Sequence, residues 1–135
     1  MKKFSIGIFT VLAIVVIVTS CKKYSLPGVT NPREERKIRF QLYTNKNFSE
    51  NNSIIHFSIF IRNAGRVTLF DSAFAPMQIK DIPDSAHKLV IEKTVHDNYD
   101  LAAGFNYEIE NVGNSWFIDT SKAGNAFKII DFAFQ

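Results

Sequence analysis

The stretch 37–135 predicts an all-β domain, an antiparallel β-sandwich of seven to eight strands. Three observations predict it. Apolar residues recur with a period of two rather than 3.6. Turn-forming pairs such as Pro83-Asp84, Asp97-Asn98 and Gly124-Asn125 interrupt the apolar runs at short intervals. Eleven of the 13 phenylalanines fall in this stretch, an apolar load suited to two facing sheets.

Taken in order, Ile38, Phe40 and Leu42 alternate with Arg39, Gln41 and Tyr43, so Lys37 to Thr44 predicts a strand with one buried face. In Ser53 to Arg62 the set Ile55, Phe57, Ile59 and Ile61 faces one side, while Ile54, His56, Ser58 and Phe60 face the other. That second face is half apolar, which places the strand centrally in its sheet. Asn63-Ala64-Gly65 predicts a tight turn and a hairpin to Arg66 to Phe70. Met77 to Ile82, Lys88 to Val95, Ala103 to Glu110, Trp116 to Asp119 and Ala126 to Phe134 read as further strands, with a turn at Val112-Gly113-Asn114. Single helical turns fit Ser72 to Ala75 and Asp84 to His87.

Ahead of this domain the chain has a different character. Lys2 and Lys3 precede an uncharged run from Phe4 to Ser20, whose mostly apolar centre is Ile6 to Val18, and Thr19-Ser20 are small residues just before Cys21. A basic start, an apolar stretch and a small-residue cut site make a secretory signal, here a signal helix over residues 1–20. Phe4 to Cys21 is also just long enough to fit an uncleaved membrane anchor, so that alternative stays open. Residues 21–36 predict a flexible tether: Pro27, Gly28 and Pro32 break any period, and Arg33-Glu34-Glu35-Arg36 is a mixed charge run.

Without Lys2 and Lys3 the chain carries 14 basic against 13 acidic residues, so the sequence pI of 9.0 does not argue for nucleic acid as a partner. Cys21 is the one cysteine of the chain, which leaves no disulfide to staple the domain. About a hundred residues suffice for a core to stand without one.

Val18-Thr19-Ser20-Cys21 resembles the lipobox of bacterial lipoproteins. The resemblance implies cleavage before Cys21, diacylglycerol on its sulfur and an acyl chain on its amine, and hence attachment to a membrane. Ile79-Lys80-Asp81-Ile82-Pro83, His87 to Lys93 and Glu108 to Trp116 are similar to segments of small lipoproteins of the Bacteroidota kind. Their sandwich is immunoglobulin-like or transthyretin-like, and no activity is attached to the group. The resemblance implies a cell-envelope address, the outer membrane. Lys22-Lys23 follow the cysteine where surface-exported members often carry acidic residues, which favours the periplasmic face.

Candidate chemistry in the domain is sparse. His56, His87 and His96 have no metal-type spacing, no Gly-x-Ser-x-Gly elbow is present, and the glycines never cluster into a phosphate loop. The reading is therefore of a non-enzyme with no cofactor and no metal. Asp97-Asn98-Tyr99-Asp100 has oxygens that suit calcium, yet the same residues are ordinary turn formers. Glu108 and Glu110 share a strand face as a solvated pair rather than bracketing a sugar. Trp116 reads as a core residue anchoring the sheets, with a sugar-stacking ring as the alternative. Asp71-Ser72-Ala73 and Asp84-Ser85-Ala86 resemble a short O-glycosylation signal of the same bacterial group, which makes Ser72 and Ser85 candidate sites. Three function classes follow. The first is a binding or envelope-interaction module with a protein or glycan partner; the second is an assembly subunit pairing through Phe127 to Phe134; the third is a hydrolase whose residues meet only in space.

Overall fold

The computed structural model describes residues 32–135. The signal segment, Cys21 and most of the tether lie outside the described residues. Eight strands follow in order: β1 (Glu35–Thr44), β2 (Ile54–Asn63), β3 (Thr68–Ala73), β4 (Met77–Gln78), β5 (Leu89–His96), β6 (Leu101–Ile109), β7 (Gly113–Ser121) and β8 (Phe127–Phe134). They form a three-stranded sheet in the order β5-β1-β8 and a five-stranded sheet in the order β3-β2-β6-β7, with β4 also on β2. Every ladder is antiparallel except β1 with β8, which run parallel in the register Phe40↔Ile130 and Leu42↔Phe132. An immunoglobulin domain keeps its first two strands in one sheet. Here β1 and β2 lie in different sheets, so the strand order of this sandwich is not the immunoglobulin one.

Alternation explains the core. Ile38, Phe40 and Leu42 of β1 face Ile55, Phe57, Ile59 and Ile61 of β2, with Leu101, Ala103 and Phe105 of β6 and Ile130 of β8 alongside, all buried. The β8 aromatics fill the gap between sheets. Phe132 stacks on Phe117 at 5.0 Å and lies 5.3 Å from Phe105 and 5.7 Å from Tyr107, while Phe134 meets Phe57 edge-on at 6.0 Å. Such pairs each contribute about 0.5–1.5 kcal/mol beyond area burial. As the half-apolar second face of β2 predicts, that strand lies between others, and its outward Phe60 is buried opposite Gly104. A Cβ on Gly104 would stand 1.9 Å from the Phe117 carbonyl oxygen, so only glycine fits there.

The long sides of the sandwich carry inward lysines. Lys128 of β8 pairs with Asp119 of β7 at 2.7 Å on one side, and Lys93 of β5 lies over the Phe70 ring of β3 at 4.7 Å on the other. Inward charges at sheet edges disfavour pairing with stray strands.

Several local expectations need correction. Met77 to Ile82 holds only a two-residue strand, after which Ile79–Asp81 winds into a 3-10 turn that buries Ile79 and Ile82. Ser72 to Ala75 is not a helical turn, since Ser72 and Ala73 belong to β3 and pair with Ile59 and Ser58. The β6–β7 turn closes at Ile109–Val112 with Asn111 at φ 61°, so β7 begins at Gly113 and is longer than the Trp116 to Asp119 expected. The hairpin expected after Asn63-Ala64-Gly65 is present, with Arg66 in its turn at φ 62°.

The largest correction concerns Arg36, assigned by its charge run to the solvated tether. It is the second residue of β1 and 0% exposed. Its guanidinium donates from Nε to Asn125 O at 3.1 Å and from Nη2 to Ser121 O at 2.9 Å, Ser121 Oγ at 2.7 Å and Lys122 O at 2.6 Å, and from Nη1 to Tyr99 O. A fork of five donors thus binds the β5–β6 and β7–β8 loops to the start of β1. No carboxylate reaches it within ion-pair distance among the described residues, so backbone dipoles carry the burden of solvating the charge.

Candidate functional site

The parallel and antiparallel registers define two ends. At the entry end the chain comes into β1, beside the β2–β3, β5–β6 and β7–β8 loops. At the far end lie the β1–β2 loop, the 3-10 turn and the β6–β7 turn.

On the outer face of the five-stranded sheet, toward the far end, the register aligns two rows of side chains across β2, β6 and β7. His56, Glu108 and Asn114 make one row, and Ser58, Asn106 and Trp116 the next. With Ala73 and Ser115 they line a groove of about 340 Å³. Small-molecule sites begin near this size. Trp116 is 67% exposed, which overturns its reading as a core anchor. The physical reason is alternation: in the pair Trp116-Phe117 only one ring can point inward, and Phe117 does so by stacking on Phe132.

The groove is polar around that ring. His56 Nε2 meets Glu110 Oε1 at 3.1 Å, while Ser58, Asn106, Glu108, Asn114 and Ser115 make no side-chain hydrogen bond or ion pair within the described residues. Glu108 and Glu110 therefore do not act as a pair: Glu108 faces the groove and Glu110 lies in the turn against His56. The arrangement offers an aromatic plane, two amides, hydroxyls and a carboxylate, with no activated nucleophile.

A larger concavity, about 750 Å³, is formed by Asn47–Ser53 alone. Its amide oxygens are used within the fold, because Ser49 N–H donates to Asn47 Oδ1, Ser53 N–H to Asn51 Oδ1, each at 3.0 Å, and Lys80 Nζ to Asn52 Oδ1 at 2.7 Å. The smaller groove is thus the better candidate.

The remaining predicted residues are scattered. Asp97 is buried, accepting from Asn63 Nδ2 at 3.1 Å and Tyr99 N–H at 2.7 Å, and Asn98 Oδ1 accepts from Glu34 N–H at 2.7 Å. Asp100 accepts from Lys122 Nζ and Ala123 N–H, and the lysine chiefly holds its carboxyl below the usual aspartate range. Protein donors thus reach every carboxylate and amide oxygen of the loop that suits calcium by sequence. Among the described residues no group of three His, Cys, Asp or Glu is placed to hold a metal. His96 approaches Glu35 at 3.8 Å, far from His56 in the fold. Ser72 lies half-buried within β3. Ser85 is exposed in a turn that Asp84 organises by accepting from the N–H groups of Ala86 and His87, both at 2.9 Å. The His87 ring bonded to Asp84 lowers that carboxyl below its usual range. Tyr43 lies under Lys88 on the other sheet, Tyr99 is exposed at the entry end, and Tyr107 sits in the core.

Asn106 and Asn114 were not singled out in the sequence. Their one signal is the position of Asn106 between Phe105 and Tyr107, where strand alternation turns it outward. No family model, curated protein or solved structure matches this chain.

Proposed function

We propose that the chain is a lipid-anchored protein of the cell envelope whose sandwich is a non-catalytic binding module. The observation that carries this reading is the exposed Trp116 set among unspent amide, hydroxyl and carboxylate groups in a groove. Burying so large an aromatic ring against a ligand yields substantial apolar contact at little conformational cost. Within the sandwich the groove lies toward the end opposite the start of β1. The address rests on the resemblance of Val18 to Cys21 to a lipobox. More than one acyl chain on Cys21 gives lasting attachment, at about 0.8 kcal/mol per buried methylene.

Two measurements test the reading. Replacing Cys21→Ser abolishes incorporation of labelled fatty acid; label retained on the variant sinks the anchor. Trp116 is the one tryptophan of the chain, so its emission reports the groove directly. Titrating the full-length protein in detergent with solubilised envelope extract shifts that emission saturably. Trp116→Ala leaves the melting temperature within a degree or two and loses retention on the extract immobilised on beads; equal retention by the variant refutes the site.

A further inference from the structure

Resting on the binding-module reading, we infer that the groove takes a neutral saccharide chain, with one sugar ring laid on Trp116. A pyranose has an apolar C–H face and a rim of hydroxyls that both donate and accept. The groove matches both parts. Trp116 supplies the plane, and Ser58, Asn106 and Asn114 on the same face surround it with groups that themselves donate and accept. Three paired strands span about 10 Å and one alternation step along a strand about 7 Å, so the two rows cover a footprint of one or two rings.

Charge narrows the class. Glu108 has no cationic partner among the described residues, and Glu110 carries only His56. A lining with surplus carboxylate repels phosphate, sulfate and uronate groups, so the sugar is uncharged. A peptide strand fits less well. Added strands are held by the free backbone of a sheet edge, whereas the groove floor is β6, whose backbone is paired on one side to β2 and on the other to β7. Only side chains reach the ligand here.

The test uses the full-length protein in a detergent without a sugar headgroup, with Trp116 emission as the readout. The probes are hexamers of glucose, mannose and N-acetylglucosamine, together with polygalacturonate and a lysine-rich peptide. At least one neutral hexamer shifts the emission saturably, Asn106→Ala weakens that titration about tenfold, as loss of one net hydrogen bond implies, and polygalacturonate at equal ring concentration does nothing. Silence from all the neutral hexamers, or an equal response to polygalacturonate, overturns the saccharide inference. If the peptide or the envelope extract still moves Trp116 in that case, the binding module stands with a different ligand. If neither does, the module falls as well.

Discussion

The two ends of the sandwich spend their polar groups in opposite ways. At the entry end nearly every one is used internally: Arg36 is consumed by carbonyl oxygens of Tyr99, Ser121, Lys122 and Asn125, Asp97 by Asn63 and Tyr99, and Asp100 by Lys122. On the groove face toward the far end, Ser58, Asn106, Glu108 and Asn114 have no side-chain partner among the described residues and surround an exposed ring. Groups satisfied by the fold hold loops in place, and groups left unsatisfied at a surface are available to something else. A chemical function is therefore sought where the bonding is incomplete, even though the buried arginine is chemically the more unusual residue.

The comparison breaks if disturbing the entry end costs no stability. Arg36→Met gives the largest effect, a loss of about 3–5 kcal/mol, because it strands four carbonyl oxygens, of which that of Ser121 is buried, together with the buried Ser121 hydroxyl. Against a domain stability of 5–15 kcal/mol that is a large fraction, visible as a fall in the denaturant midpoint. The groove is intact in whatever fraction stays folded, so native-state Trp116 emission is unchanged. A midpoint unmoved by the substitution refutes the satisfied clasp.

A smaller effect sharpens the same contrast. Lys128, bonded to Asp119, is the main cause that holds this carboxyl below the ordinary aspartate range. A depressed carboxyl pKa contributes stability that is present above the unfolded value, about 3.9, and is lost as pH falls through the lower folded value. Asp119→Asn therefore costs less than about 1 kcal/mol at neutral pH, since the pair is partly exposed and screened, and the gap to the unsubstituted protein closes under acid. Paired denaturation curves at neutral and strongly acidic pH check this; a gap that widens under acid reverses the sign of the argument.

Much of the fold is legible because strand alternation writes burial directly into the sequence. Ile38, Phe40 and Leu42 announce β1, and the half-apolar second face of β2 announces its central place. The parallel β1–β8 ladder is not legible, since alternation says which face is buried but not which strand is the neighbour. Arg36 is hidden by its company: in Arg33-Glu34-Glu35-Arg36 nothing separates a charge in water from one whose acceptors lie more than sixty residues away. The exposure of Trp116 is hidden for a simpler reason. Two adjacent aromatics in a strand guarantee that one faces out, and only packing against Phe132 selects which. The groove itself draws on β2, β6 and β7, and spacing within a single segment cannot reveal a site whose members meet only through register.

The parallel pairing of the first and last strands also sets the order in which the domain can assemble. β1 lies between β5 and β8, neighbours that begin at Leu89 and Phe127, so the first strand made is completed by the last. Until the C-terminal residues emerge, Ile38, Phe40 and Leu42 have no finished partner face, and no shorter N-terminal piece can close the three-stranded sheet. Contacts of such long sequence separation form slowly, because chain entropy is spent before they are gained. Closure of the three-stranded sheet therefore waits on Phe127–Phe134, whatever the five-stranded sheet has already formed.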